Sequence, residues 1–160
     1  MSFQSIKNVT FGLNVVLAHH LNLYDCKIGD NSKIGSFVEI QKGATIGQNC
    51  KISSHSFICE GVHISNNCFI GHGVMFINDN YPQSVTQENQ VETDADWQDR
   101  FVTTTLHDHV SIGSNVTLLG NITIGKHAMI GAGSVVTKDI PEQEIWAGNP
   151  AKFIRKRTLS

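Results

Sequence analysis

The chain has 160 residues and a formal net charge of −2, which suits one domain with a sizeable core. This near-neutral balance offers no general attraction to nucleic acid or to a membrane surface, and no apolar run is long enough to span a bilayer. The four cysteines form no Cys-x-x-Cys pair, which favours free thiols in a reducing compartment, the cytoplasm.

The first 25 residues follow a pattern of their own. Val9, Val15 and Leu21 are six residues apart, but they stand one residue out of phase with the repeat that follows. We expect a first, irregular coil with a slip between Leu21 and Cys26.

From Cys26 to Phe76 the sequence repeats with a period of six residues. A large apolar residue stands at every sixth position: Ile28, Ile34, Ile40, Ile46, Ile52, Ile58, Ile64, Ile70 and Phe76. A smaller residue stands two positions before each: Cys26, Ser32, Val38, Ala44, Cys50, Ser56, Val62, Cys68 and Val74. A helix repeats near 3.6 residues and a strand near 2, whereas hexapeptide repeats are typical of a β-helix. Residues two apart share one side of a strand, so both columns are predicted to face the core.

The same period predicts the corners and the cysteine environments. Asparagine and glycine dominate the third position after each isoleucine, and both tolerate a positive φ, so we predict a left-handed corner there. Asn31, Asn49 and Asn67 fall one coil apart on one corner, where their side chains could form a ladder. Cys59, next to a corner, is expected to be more exposed than the other cysteines.

Between the two inward residues of each strand lies an outward one. The outward columns are Lys27, Thr45 and His63; Lys33, Lys51 and Phe69; and Glu39, Phe57 and Met75. Phe57 and Met75 form an apolar pair, and Phe69 lies on a neighbouring face. Because a monomer rarely exposes such a strip, we predict that it belongs to an interface.

Residues 77–103 interrupt the repeat with a polar, acid-rich excursion that carries Trp97 and Phe101. A loop this long inside a compact domain is usually functional or disordered. The repeat then resumes with Leu106, Ile112, Leu118, Ile124, Ile130 and Val136. We therefore predict a single domain over residues 1–160, one prism with one excursion.

The chain closes with Asn149-Pro150 and a basic run. Asparagine caps helices and proline suits their first position, so we predict a short helix from about Pro150 to Arg157. Its basic surface is either a solvated end or a phosphate site.

The stretch GVMFINDNYPQS, a downstream ADW and the tail GAGSVVTKDIPEQEIWAGNPAKFIRKR resemble the hexapeptide-repeat acyltransferases, and among them the N-acetyltransferases of nucleotide-linked amino-deoxysugars. The resemblance implies an all-β fold, the left-handed parallel β-helix. It implies transfer of an acetyl group from acetyl-CoA, without a metal, to the 3-amino group of a dTDP- or UDP-linked sugar. The product would serve the synthesis of a surface polysaccharide. It also implies a homotrimer with active sites between subunits. Gln83 stands where many relatives carry a basic residue, which leaves the acceptor's identity open.

The resemblance also implies site residues. Asn78 and Asp79 open the excursion and would grip and orient the acceptor, together with Asn80 and Tyr81, although a turn with side-chain caps explains them equally. The implied contacts to CoA are Gly113, Gly131, Ala132 and Gly133, with Lys138, Lys152 and Arg155 as phosphate partners. Corner glycines and a solvated basic end are the alternative explanation.

The eight histidines are candidates for the proton acceptor that acyl transfer to an amine uses. His63 points outward from a strand and His72 lies just before the excursion, so both have access to a cleft. We predict that these two histidines and Asn78 serve catalysis. Corner positions explain His55, His109 and His127, whereas His19 and His20 are interpreted either as a corner or as the rim of a substrate site.

Three other functions stay open. An O-acetyltransferase for a sugar or serine hydroxyl would need a stronger base, such as a histidine with a carboxylate partner. A zinc hydratase of the γ-carbonic-anhydrase type would need three converging histidines, and the His-x4-His spacing of that family does not occur here. A prism with a purely structural role would have little use for a long polar excursion.

Overall fold

The structure, a computed structural model, describes residues 4–159. The predicted domain of residues 1–160 thus includes residues 1–3 and 160, which lie outside the described residues. Before the excursion the chain forms the short strands β1 Ser5–Lys7, β2 Thr10–Phe11, β3 Val16–Leu17, β4 Asn22–Tyr24, β5 Lys27–Ile28, β6 Lys33–Ile34, β7 Glu39–Ile40, β8 Thr45–Ile46, β9 Lys51–Ile52, β10 Phe57–Ile58, β11 Val62–Ile64, β12 Phe69–Ile70 and β13 Met75–Phe76.

The excursion carries a short helix, and strands resume after it. These elements are α1 Asp94–Gln98, β14 Thr104–Leu106, β15 Ser111–Ile112, β16 Thr117–Leu118, β17 Thr123–Ile124, β18 Met129–Ile130, β19 Val135–Val136, β20 Glu144–Gly148 and β21 Ala151–Lys156.

Successive strands belong to three different sheets, which form the faces of a triangular prism. Face 1 comprises β1, β4, β7, β10, β13, β16 and β19; face 2 comprises β2, β5, β8, β11, β14 and β17; face 3 comprises β3, β6, β9, β12, β15, β18, β20 and β21. The chain turns at corner 1–2, corner 2–3 and corner 3–1 between these faces. All pairing between coils is parallel up to β20, and the architecture is a parallel β-helix, consistent with the predicted left-handed form.

The prism is continuous across the excursion. Strand β11 pairs with β14, which aligns His63 with Thr105, although residues 65–103 separate the two strands in the chain. Likewise Met75 of β13 aligns with Thr117 of β16. The excursion is therefore an insertion at one corner that leaves the stacking of the coils intact.

The two predicted inward columns form the core. Ile40, Ile58 and Leu118 are fully buried, and so is Val38 among the smaller partners. The predicted slip in the first coil is also present: the corner hydrogen bond from Asn14 to Asn31 spans 17 residues, whereas the next one up the same corner spans 18. One coil is thus a residue short, and the regular period begins after it.

The corners have the predicted backbone conformation. Asn31, Asn49 and Asn67 have φ values of 58°, 56° and 60°. Asn31 Nδ2 donates to Asn49 Oδ1 at 3.3 Å, and Asn49 Nδ2 donates to Asn67 Oδ1 at 3.0 Å. The predicted asparagine ladder therefore runs along corner 2–3. His55 and His127 also have positive φ, which agrees with their assignment to corners.

The predicted C-terminal helix from Pro150 to Arg157 is wrong. Residues Ala151–Lys156 form strand β21, which runs antiparallel to β20 after a two-residue turn. The edge of β20 carries unpaired backbone groups, and a returning strand satisfies them where a helix would not. Gly148, with a φ of 106°, provides the backbone conformation that this turn requires.

The β20–β21 hairpin closes the C-terminal end of the prism. Trp146 is 8% exposed and aligns with Ile130, so its indole takes the next inward position of face 3. Glu144 accepts a hydrogen bond from the Trp146 indole N–H at 2.8 Å and pairs with Lys156 at the same distance. An aromatic side chain thus covers the last isoleucine layer.

The surface differs from expectation at one cysteine. Cys59 is 1% exposed rather than accessible, and burial raises the pKa of its thiol to about 12. All four cysteines are free and buried.

Phe69 and Met75 are about two-fifths exposed, on faces 3 and 1, while Phe57 packs partly against the core. The interface at this strip stays a prediction. Among residues 4–159 no helix is long and apolar enough to cross a membrane.

Core truncation should be far more damaging than truncation of the hairpin surface. Ile58→Ala removes a fully buried side chain, and we expect it to lower the free energy of unfolding by about 2–5 kcal/mol. The control Ile154→Ala removes a side chain that is 56% exposed and should cost about 0.5 kcal/mol or less. Chemical denaturation measures both, and equal losses would contradict the assigned core.

Candidate functional site at the excursion and the glycine corner

The excursion leaves and re-enters the prism at corner 1–2. Asn78 joins its two ends, since its backbone oxygen accepts a hydrogen bond from the Val102 N–H at 2.9 Å. Its side-chain Nδ2 donates to the Glu60 carbonyl oxygen, one coil below, at 3.0 Å. The predicted acceptor residue Asn78 therefore also holds the base of the excursion against the prism.

Asn80 and Tyr81 are both exposed but differ in their contacts. The Asn80 side chain accepts from the Gly120 N–H at 2.8 Å and donates to the Gly120 carbonyl at 3.1 Å, which anchors it to the coil above. A Cβ at residue 120 would lie 2.8 Å from the Ile77 carbonyl oxygen, so this close approach requires glycine. Tyr81 is 84% exposed. Asn80 is also exposed, but its side-chain amide is engaged with Gly120, whereas the Tyr81 ring extends into solvent.

A cluster of charged residues, which we call the Arg100 latch, fixes the excursion internally. Arg100 Nε contacts Asp79 Oδ2 at 2.9 Å, and its terminal nitrogens contact both oxygens of Glu92 at 2.9 and 2.7 Å. Gln83 Nε2 donates to the same Glu92 at 2.6 Å. The latch joins the start, middle and end of the excursion, and bidentate pairs of this kind fix geometry as well as charge.

The latch accounts for the acidity of its carboxylates. Hydrogen bonds from Arg100 hold the pKa of Glu92 below its ordinary value, although burial opposes them. For Asp79, burial raises the pKa, whereas the hydrogen bonds from Arg100 and from the Tyr81 N–H lower it. The combined effect of these hydrogen bonds is larger, so the pKa of Asp79 lies below its ordinary value. Asp79, predicted to bind substrate, is thus engaged within the excursion, as is Gln83.

His63 lies on face 2, three residues after Glu60. It is half-buried on the outer surface of β11, and its Nδ1 lies 2.8 Å from the Thr45 hydroxyl of the coil below. The hydroxyl fixes the orientation of the ring. His63 and the excursion therefore share one region of the prism, at corner 1–2 and the adjoining face.

His72 lies instead at corner 3–1, next to the predicted cofactor glycines. Its Nδ1 is 2.8 Å from the Ser54 hydroxyl, and its backbone N–H donates to the Ser114 hydroxyl at 3.1 Å. One and two coils above lie Gly113 and the Gly131–Gly133 segment. A Cβ at residue 113 would stand 2.5 Å from the Ala132 nitrogen, and Gly133 has a φ of 70°. These residues form a corner with little side-chain bulk, which we call the glycine corner.

The three predicted phosphate partners are spread over the C-terminal end. Lys152 is in register with Ala147, which lies against Gly131, so this lysine belongs to the glycine corner. Arg155 is exposed further along β21. Lys138 follows β19 and extends toward the closing indole, with its Nζ 5.2 Å from the Trp146 ring centroid.

The chain thus groups the predicted residues in two separate regions. Asn78–Tyr81 lie at corner 1–2 with His63 on the adjoining face 2, whereas His72, the glycines, Ala132 and Lys152 lie at corner 3–1. Sequence reasoning missed Arg100 and Glu92. Their only signal was opposite charge within one long insertion, which does not reveal contact without the folded loop. Within residues 4–159 no three His, Cys, Asp or Glu side chains converge as metal ligands would.

The repeats agree with a known family. The bacterial transferase hexapeptide family, defined by six repeats, matches residues 25–60 and 103–138, which lie in the regular coils on either side of the excursion. These two segments carry the repeat of that family, and the match stops at residue 60, before the excursion, and resumes at residue 103, where the excursion ends.

Individual relatives share the repeat but differ in activity. Gamma carbonic anhydrase 2 of Arabidopsis thaliana mitochondria is 48% identical over 56 residues, which are 34% of this chain and 20% of that protein. Serine acetyltransferase 2 of the same plant is 59% identical over 44 residues, 28% of this chain and 14% of that protein. The chain spans less than two thirds of these relatives, so the shared segments establish the repeat alone.

A solved structure covers nearly the whole chain. A mutant N-acyltransferase from Bacillus cereus, in complex with dTDP and coenzyme A, superposes with a TM-score of 0.78 over 96% of this chain and 86% of that one, at 20% identity. At this identity the likeness shows the fold alone.

Loss of one latch carboxylate should loosen the excursion without unfolding the prism. Glu92→Gln removes the bidentate partner of Arg100, so chymotrypsin should cleave within residues 77–103 several-fold faster at pH 7. Glu88→Gln, in the same segment but outside the latch, is the control. An unchanged cleavage rate, or equal effects of both substitutions, would contradict the latch.

The latch should also depend on pH. Asp79 and Glu92 have lowered pKa values in the fold, so their stabilising contribution is complete above the unfolded pKa of about 4 and is lost as pH falls through the folded values. The measurement is the hydrogen-exchange rate of residues 77–103 in Glu92→Gln relative to the rate in the wild type. This ratio should decrease toward a value of one as the pH is lowered. A ratio that is independent of pH would refute the prediction.

Proposed function

We propose that this protein is an acetyl-CoA-dependent N-acetyltransferase for the amine of a nucleotide-linked amino-deoxysugar. The observation that carries the proposal is the likeness over 96% of the chain to an N-acyltransferase bound to dTDP and coenzyme A. A GDP-perosamine N-acetyltransferase from Caulobacter crescentus also matches 93% of the chain, with a TM-score of 0.63. The first complex contains coenzyme A and dTDP, and the second contains coenzyme A and GDP-perosamine.

The glycine corner is the proposed binding site of acetyl-CoA. Gly113, Gly131, Ala132 and Gly133 leave a surface without large side chains, where an extended pantetheine arm can approach backbone N–H and C=O groups. Lys152 lies at the end of this surface, and Arg155 and Lys138 add positive charge nearby. Cations at one end suit the phosphates of coenzyme A.

The proposed reaction is direct transfer. The lone pair of the sugar amine attacks the thioester carbonyl carbon, the C–S bond breaks, and the coenzyme leaves as a thiol after taking up a proton. The amine loses one proton as the amide forms. Holding both reactants in contact can supply much of the acceleration, and a neutral imidazole can take the proton.

We assign the proton acceptor to His63 and a contact with the cofactor to His72. His63 adjoins the excursion, and its Nδ1 is held by Thr45, so the other ring nitrogen remains for proton transfer. His72 lies at the glycine corner beside Ser54. Asn78, Asp79 and Asn80 shape the excursion, and Tyr81 is the member of this segment that can reach a ligand.

Because the two groups lie at different corners of one prism, we propose that a second copy of the chain completes each site, in a homotrimer. The partly exposed Phe69 and Met75 supply apolar area for such an interface. The four free, buried thiols suit a reducing compartment, so we place the protein in the cytoplasm. We propose that it acts as a single domain in the synthesis of a surface polysaccharide precursor.

O-acetylation is the second candidate, since a serine acetyltransferase shares part of the repeat. The side-chain partners of His63 and His72 are hydroxyl groups, and they favour the amine instead. A hydroxyl nucleophile needs a strong base, which a histidine–carboxylate pair provides better than a histidine–hydroxyl pair.

The first test is thiol release from acetyl-CoA with a panel of acceptors. The panel contains dTDP- and UDP-linked 3-amino and 4-amino deoxysugars, serine and simple sugars. Turnover restricted to amino-sugar nucleotides is the expected result, and it should fall by about two orders of magnitude or more in His63→Ala. Turnover with hydroxyl acceptors alone would overturn the proposal in favour of O-acetylation.

The cofactor site predicts a charge dependence. Lys152→Gln and Arg155→Gln should each weaken acetyl-CoA binding by roughly two- to fivefold, as expected for exposed charge pairs. Lys27→Gln, on face 2 near the other end of the prism, is the matched control. Isothermal titration measures the dissociation constants. If the three variants bind acetyl-CoA equally well, the phosphates of the cofactor do not bind at the C-terminal end of the prism.

A further inference from the structure

A cleft opens between the excursion and corner 1–2 of the prism. The prism side contributes Tyr24, Gln41, Lys42 and Glu60, and the excursion side contributes Asp94, Trp97, Gln98 and Phe101. Its volume is about 330 Å³, which lies at the lower end of the range for small-molecule sites. A second groove shares Lys42, Glu60, Gln98 and Phe101 and continues past Gly61 to Thr103.

Aromatic side chains line both walls of the cleft. Trp97 is 41% exposed, and Tyr24 and Phe101 are half-buried. A helix of five residues carries Trp97, whose indole N–H hydrogen-bonds to Glu92 of the Arg100 latch, while the ring stays partly exposed. An exposed indole with further rings nearby offers a flat apolar platform for a ring-shaped ligand.

The polar groups of the cleft include both hydrogen-bond acceptors and donors. Glu60 and Asp94 are carboxylates, which accept and do not donate when ionised. Gln41 is already engaged on both amide atoms, since it donates to Glu39 at 2.8 Å and accepts from the Glu60 N–H at 3.4 Å. Lys42, the cation of the lining, stands 3.8 Å from Glu60. Gln98 and the Tyr24 hydroxyl can donate and accept, so a ligand whose groups do both fits this lining.

The acidic balance also argues against a phosphate in the cleft. Glu60, Asp94 and the adjoining Glu39 would repel a diphosphate, and Lys42 is paired with one of them. A thymine or uracil base has a single N–H donor on its edge, so it could satisfy only one of the two carboxylates. A pyranose ring instead combines an apolar C–H face with hydroxyl donors, and it satisfies both the indole and the carboxylates.

We propose that this cleft binds the pyranose ring of the acceptor, with its C–H face on Trp97 and its hydroxyls on Glu60 and Asp94, while the nucleotide lies outside. This assignment rests on the proposed function for the identity of the acceptor. It is coupled to the site already described, because Asn78 donates to the Glu60 carbonyl. Trp97 and Glu60 then determine which sugar is accepted.

Binding of dTDP and of dTDP-4-amino-4,6-dideoxyglucose tests the cleft by isothermal titration of the full chain. The wild type should bind the sugar nucleotide about tenfold more tightly than dTDP, and Trp97→Ala should lose this difference while dTDP binds unchanged. Trp97→Phe should retain part of it, and Glu60→Gln should reduce it. Gln87→Ala, exposed elsewhere in the excursion, is the control.

The outcomes separate the cleft from the proposed function. Sugar-dependent binding that Trp97→Ala abolishes supports the cleft even if no acetyl transfer is found. An absence of acetyl transfer would overturn the proposed activity but not the cleft. Equal wild-type affinity for dTDP and the sugar nucleotide, or a sugar contribution that survives Trp97→Ala, overturns the cleft. A Trp97→Ala variant that weakens dTDP as strongly as the sugar nucleotide overturns it too, since the indole would then serve the base or the loop.

Discussion

The layered contact of inward isoleucines, coil upon coil, is the constraint on which the rest of this structure depends. Each strand from β1 to β19 is two or three residues long and could not persist alone. It is stable because the same inward position recurs in the coils above and below, where burial and parallel backbone hydrogen bonds act together. The corners must then turn within a few atoms of the preceding coil, and this requirement places asparagine, histidine and glycine at positive φ.

A core of this kind frees the outer surface for function. No catalytic candidate contributes to the stacking: His63 faces outward on its strand, and the glycine corner lacks large side chains. The excursion behaves in the same way, since its ends meet at Asn78 and Val102 and its interior is organised by Arg100. The prism therefore serves as a rigid support, and the proposed site residues are distributed over one insertion, one face and one corner.

Most of the fold could be predicted from the sequence because the period-six pattern is strong and local. The slip before Cys26, the inward columns and the asparagine corners are all confirmed. The C-terminal strand was mispredicted because Asn149-Pro150 resembles a helix start, whereas the unpaired edge of β20 is a tertiary feature. The Arg100 latch and the cleft at Trp97 were not foreseen for a similar reason: both arise where a polar insertion without periodicity folds back on the prism.

The closure of the excursion has a consequence for how such chains diversify. Because Ile77 and Thr103 are brought back to one corner, the coil above Phe76 begins in the register that it would have had without any insertion. The length and composition of the intervening segment are thereby decoupled from the architecture. A lineage built on this prism can exchange one excursion for another and acquire a new acceptor while every layer of the core stays in place.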